Sequence, residues 1–137
     1  MKDVYVLDAC ALIALTNQEK GANIVADILK QATHGNVRIY MNRVNLYEVY
    51  YGFYREHGKE YALNVVENVE DSHILVTEFD REIFLEAGRL KTTYKLSLAD
   101  SISVAQTIIL RGSILTADHH EFDVIEGKEN LIFNWIR

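Results

Sequence analysis

Short β-rich apolar runs alternate along this chain with longer stretches whose apolar positions recur at helical spacing. Val4–Leu7 is the first such run and predicts a buried strand. Ala11–Leu15 follows as a helix-forming segment, with no Gly or Pro between the two. After the polar break TNQEKG, Ala22–Thr33 carries Ile24, Val25, Ile28, Leu29 and Ala32 as an amphipathic stripe. His34-Gly35-Asn36 then supplies residues that favour a helix stop. Val37–Met41 alternates and predicts a second strand. Asn42 is placed as an N-cap, with Met41 and Leu46 spaced as a hydrophobic staple. The helix it opens, NRVNLYEVYYGFYREHG, is apolar around most of its circumference, so it is buried on more than one side.

Further along, Lys59–Glu70 predicts a helix and Ile74–Val76 a short strand. Asp80 caps a helix through Lys95, with Ile83, Ala87, Leu90 and Tyr94 as its stripe. SLADSISVAQTIILRG opens on a capping-box-like pair, Ser97 and Asp100, buries Leu98, Ile102, Ala105 and Ile109, and stops at Gly112. Ser113–Thr116 is a fourth strand, residues 119–123 form a short polar turn, and Leu131–Ile136 closes the chain as a fifth strand. Alternating strands and helices predict an α/β fold, three-layer α/β/α, around a central, mostly parallel five-stranded sheet. Right-handed crossovers place the carboxyl ends of the strands along one edge. The 137 residues suffice for a single domain, 1–137, with a real core.

Composition narrows the setting. The single cysteine, Cys10, excludes an internal disulfide and fits a reducing cytosol. Asp8 interrupts the first apolar run and TNQEK follows without a small-residue cleavage site, unlike a secretory signal. No segment reaches the ~18 apolar residues of a membrane span, so the expected location is cytoplasmic. A net charge of −6 argues superficially against nucleic acid as a partner, whose binders are often basic. Divalent ions held by clustered carboxylates reverse that local field, so global charge does not decide the matter.

The candidate chemistry lies in four acids. Asp8 stands at the first strand–helix joint, where open α/β sheets bind ligands, although an Asp there is equally suited to cap the helix. Asp118 lies just past the fourth strand and faces the same edge. Glu48 sits mid-helix among apolar neighbours and needs a partner: a cation, an Arg, or solvent at the helix edge. Asp100 falls in a first helical turn, where the dipole alone favours a negative charge. Acids gathered at one strand edge repel, and bound cations relieve that repulsion. An all-oxygen donor set points to Mg²⁺ or Mn²⁺.

VLDACALIAL, NLYEV, SLADSISVA and ILTADHHEFD, in that order and spacing, resemble the PIN-domain ribonucleases, most of all the VapC-type toxins of toxin–antitoxin pairs. The resemblance runs nearly end to end. It implies that Asp8, Glu48, Asp100 and Asp118 form a metal-binding active site that cleaves RNA and leaves a 5′-phosphate. It matches Thr116 to a hydroxyl beside the fourth acid, and leaves Asp123 or Glu121 as a fifth. It also implies a cognate antitoxin that covers the acidic groove. The chain departs from the family at Ala9 and Cys10, where Thr or Ser is common, and a thiol is the poorer hydrogen-bond partner. Arg38, Arg43, Arg55, Lys91 and Lys95 are candidates for phosphate contacts.

Other readings fit less well. A phosphoacceptor receiver module wants paired acids near the first strand and a late Lys, but Asp3 lies too early and no Lys follows the fifth strand. A haloacid-dehalogenase-type phosphatase needs Asp-x-Asp, and Cys10 replaces the second Asp. Zinc chemistry would draw on His119, His120 and Cys10, although adjacent histidines on a tight turn rarely converge. No G-x-G-x-x-G follows the first strand. A non-catalytic binding module predicts a damaged acid set, and this one is intact. His73 carries no motif and is expected to be structural. Tyr47, Tyr50, Tyr51 and Tyr54 suit a subunit interface better than base stacking, so a homodimer is expected.

Overall fold

The computed structural model describes residues 2–137. Among them, β1 (Asp3–Leu7) leads through α1 (Ala9–Thr16) and α2 (Ala22–Thr33) to β2 (Val37–Asn42). Then come α3 (Arg43–His57), α4 (Lys59–Glu70), β3 (Ile74–Thr77), α5 (Arg81–Thr93) and α6 (Leu98–Leu110). The last elements are β4 (Ser113–Thr116), α7 (His119–Phe122) and β5 (Ile132–Trp135). The five strands form one sheet in the order β3-β2-β1-β4-β5, and every pairing is parallel.

Strand alternation divides the core into two layers. Leu7, Ile39, Met41, Ile74 and Leu115 pack against α1–α4 on one face. Ile114 and Phe133 pack against α5 and α6 on the other, with Phe122 and Ile125. Connections leave β1 toward one face and enter β4 from the other. The sheet's switch point therefore lies between β1 and β4, where Tyr5, Val6 and Leu7 register with Ser113, Ile114 and Leu115.

Local chemistry explains the element ends. The side chains of Asp8, Asn42, Asp80 and Ser97 each accept a backbone N–H of the helix they open. Gly112 is required by close approach: a Cβ there would lie 2.6 Å from Val4 O, wedging β4 away from β1. Arg111 therefore takes the left-handed C-cap conformation (φ 55°) that Gly more often supplies.

Four expectations need correction. Helix α3 is buried on one face only, through Asn45, Leu46, Val49 and Phe53, because Tyr47, Tyr51 and Tyr54 project outward from that face. Leu98 is 63% exposed, because the first turn of α6 projects beyond the core. Farther along, α6 is buried almost all round, taking in Ser101, Ser103, Gln106 and Thr107 as well as Ile102 and Ala105. Ser101, Ser103 and Thr107 donate back to carbonyls of their own helix, at 2.6, 3.1 and 2.7 Å, which lets polar residues sit inside. Residues 119–122 form a helical turn whose Phe122 is fully buried, not a wholly polar turn. The Asp80 helix stops at Thr93, two residues early, with Tyr94 extended and its hydroxyl 2.6 Å from Glu129.

Candidate active site

Asp8 and Asp118 meet because β1 and β4 are neighbours. The Asp8 N–H donates to Leu115 O at 3.4 Å, so the sheet ladder runs up to the first acid. Asp8 is 2% exposed and caps α1, its Oδ1 accepting the Ala11 N–H at 2.9 Å. Capping and site membership are not alternatives here, since the same carboxylate also faces other acids. Burial, with repulsion from Asp118 and Glu48, pushes its pKa up to about 7, against hydrogen bonds from Thr116 and the Ala11 N–H. Thr116 also acts on the fourth acid. Its Oγ1 accepts the Asp118 N–H at 3.0 Å and fixes the turn that aims that carboxylate. Asp118 in turn caps α7, accepting the Glu121 N–H at 3.2 Å.

Asp100 reaches the same edge because α6 runs antiparallel to the strands, which puts its first turn at their carboxyl ends. Ser97 Oγ accepts the Asp100 N–H at 3.2 Å and starts the helix. Burial first, then repulsion from Asp118 and Asp8, pushes the Asp100 pKa up to about 8. Glu48 is half-buried on α3 and raised by burial and by Asp118. Among the described residues, none of these four carboxylates forms an ion pair with Lys, Arg or His. The structure thus brings all four predicted acids into one mutually repelling field.

The surrounding candidates sort themselves by geometry. Glu121 is the nearer fifth acid: it raises the Asp100 pKa, and its Oε1 accepts the Ser97 N–H at 3.2 Å. Asp123 is engaged elsewhere, 2.8 Å from His119 Nδ1. The other ring nitrogen, Nε2, bonds Arg137 O at 3.0 Å, and the ring stacks on Trp135. Both nitrogens are occupied, so His119 is no zinc ligand. Burial and Asp8 push the Cys10 thiol up to about 11, away from the thiolate that zinc requires. His73 is exposed and stands just before β3, at the amino edge of the sheet.

Most of the proposed phosphate contacts are placed elsewhere. Arg38 registers with Val4 at the amino edge of the sheet, opposite the acids. Arg43 is tied to Glu70 and Glu78 at 3.2 and 2.8 Å, Lys91 donates to Leu96 O at 2.7 Å, and Arg55 lies over the Tyr51 ring. Lys95 alone among them lines a cleft beside the acids, with Ser97, His120 and Glu121. Sequence reasoning passed over Asn45, fully buried on α3, whose Nδ2 donates to Ala99 O at 3.0 Å. Nothing in its spacing distinguished it from a helix-surface Asn.

Among the described residues, no three acid, His or Cys side chains are already gathered round one point as a closed metal centre. A hard divalent ion does not need one: Mg²⁺ keeps several waters and binds through one or two carboxylates. An all-carboxylate set in which burial and mutual repulsion raise the pKa values of Asp8, Glu48 and Asp100 fits such an ion, whose charge offsets the repulsion.

A parallel sheet with converging carboxyls at its switch point defines a class: α/β domains with an acidic cluster at the strand ends. Residues 5–128 match the PIN domain model, and the chain belongs to that family. Comparison with curated protein sequences gives no significant match. Among solved structures, the fold is similar to VapBC-1 from nontypeable Haemophilus influenzae (TM-score 0.73, 21% identity, covering 97% of this chain and 98% of that one). It is similar also to DNA-bound VapBC from Salmonella typhimurium (0.75, 15%, the whole of both chains). A third likeness is to Mycobacterium tuberculosis VapC20, a sarcin-ricin-loop-cleaving toxin (0.69, 13%, 88% and 94%).

Proposed function

We propose that this chain is a Mg²⁺- or Mn²⁺-dependent endoribonuclease, the toxin of a toxin–antitoxin pair. One observation carries the reading: four carboxyls, Asp8, Glu48, Asp100 and Asp118, share one strand edge, and among the described residues none of them has a Lys, Arg or His ion-pair partner. Membership of the PIN family and likeness to VapBC complexes support it.

Asp8, Asp100 and Asp118 would hold the divalent ion. Bound there, the ion supplies Lewis-acid stabilisation of phosphate charge and lowers the pKa of water. Glu48, the half-exposed acid on the solvent side, either completes the ligation or orients the attacking water by accepting its proton at a carboxylate oxygen. Thr116 keeps Asp8 and Asp118 in register. Lys95 meets a backbone phosphate beside the acids. The water's oxygen forms the new bond to phosphorus in line as the bond to the 3′ oxygen breaks, and the 3′ oxygen takes a proton from solvent, which leaves a 3′-hydroxyl and a 5′-phosphate. A cognate antitoxin presents basic side chains to the acidic groove and silences it. The toxin acts as a cytoplasmic homodimer through the exposed α3 tyrosines.

The test is cleavage of a mixed RNA pool by wild type, Asp8→Asn and Asp100→Asn in Mg²⁺ or Mn²⁺, with an EDTA control. Cutting by wild type that EDTA and both substitutions abolish supports the proposal. Cutting that persists in EDTA, or in both variants, overturns it.

A further inference from the structure

Asn45 is buried beside the acids and its polar chemistry is only half used. It sits on α3 three residues before Glu48 and is 0% exposed. Its Nδ2 donates to Ala99 O at 3.0 Å, and Ala99 directly precedes Asp100 on α6. Its Oδ1 is buried without a hydrogen-bond partner. An acceptor left unmade in the interior costs about as much as one neutral hydrogen bond returns. An apolar side chain of similar volume would serve packing at least as well. The amide therefore needs a justification other than stability.

Placement supplies one. Glu48 and Asp100 arrive at the edge on different helices, and no backbone ladder joins two helices. Their relative slide and rotation rest on side-chain packing and on directional contacts such as this one. Residues at i and i+3 occupy neighbouring positions on a helix surface, so a shift of α3 that breaks the Asn45 bond carries Glu48 with it. We propose that Asn45 is a positioning residue: its amide clamps α3 to the first turn of α6 and sets Asp100 relative to Glu48 for cation binding. This inference rests on the cation-dependent reading above.

The experiment measures Mn²⁺ affinity by calorimetry and the melting temperature in EDTA, for the full chain and two variants. Asn45→Leu removes both the clamp and the unpaired acceptor. Val69→Ala, in the core of α4 away from the acids, reports what loss of stability alone does. The expected result is Asn45→Leu melting no lower than wild type while binding Mn²⁺ at least about tenfold more weakly, the scale of lost support around a metal site. Val69→Ala melts lower and keeps wild-type affinity. Should Asn45→Leu not fold, Asn45→Ser, too short to reach Ala99, is expected to show the same weakened binding. Wild-type affinity in the Asn45 variant overturns the inference alone. So does a loss of affinity that Val69→Ala reproduces. A wild type that binds no Mn²⁺ removes the cation reading and this inference together.

Discussion

Asp8 combines several roles in one side chain. It caps α1, accepts from Thr116, and stands with a pKa near 7 in a field of other acids. The sign of the resulting pH dependence follows from linkage. The folded pKa values of Asp8 and Asp100, about 7 and about 8, lie above the 3.8 of the free side chain. The native state therefore keeps protons that the unfolded chain has released. These two groups cost the fold nothing below pH ~4 and destabilise it progressively as pH rises toward 7–8. In EDTA, Asp8→Asn and Asp100→Asn are expected to melt above wild type at pH 8. The gap is about 5 °C or more, what roughly 1–2 kcal/mol gives in a small domain, and it closes toward pH 4. A thermal melt series across pH checks this, and equal melting at pH 8 contradicts it. Asp8 was legible in the sequence because a strand runs straight into it. Asn45 was not, because its role depends on which helix lies opposite, and Ala99 is 54 residues away.

At the scale of elements, caps and stripes were legible. Ala22–Thr33, Lys59–Glu70 and Ser113–Thr116 fall where periodicity and capping residues put them. Leu98 continues the stripe of α6 yet is exposed, because periodicity reports a repeat and not where the core ends. The buried serines of α6 were invisible for a related reason: each is satisfied within its own turn. Two predictions belong here. Gly112→Ala is expected to destabilise the fold by a few kcal/mol, since the added methyl meets the Val4 carbonyl and strains the β1–β4 pairing that joins Asp8 to Asp118. Leu98→Glu, on an exposed first turn, is expected to change stability by less than about 0.5 kcal/mol. Urea unfolding of both variants checks the pair. An unaffected Gly112→Ala contradicts the close-approach account.

Across the whole molecule, the sheet order places function. The acids line the carboxyl edge at the switch point, while Lys2, Arg38 and Arg111 line a cleft at the amino edge. With Asp3 as the acid in that cleft, its cationic side chains are in local excess, which a net charge of −6 conceals. Strand order was not legible in the sequence, because hydrophobic runs do not say which strands pair. Tyr47, Tyr51 and Tyr54 are exposed on α3, the first at 62%, with Tyr47 edge-on to Tyr51 and Tyr50 edge-on to Tyr54. If they form the subunit interface proposed above, Tyr47→Glu with Tyr51→Glu converts a dimer at micromolar concentration into a monomer. Light scattering reads the difference, and a wild-type monomer contradicts the proposal. Among the described residues no helix is long and apolar enough to cross a membrane.

The proposed cation site has a direct thermodynamic signature, because burial and repulsion among the acids raise the pKa values of Asp8, Glu48 and Asp100. Calorimetric titration of Mn²⁺ at pH 6.5, in buffers of different ionisation enthalpy, counts the protons that binding displaces. Asp8 and Asp100 are largely protonated at that pH, so release of about one to two protons per ion is expected. Asp8→Asn should release fewer. Binding without proton release, or no binding at all, contradicts the cation site.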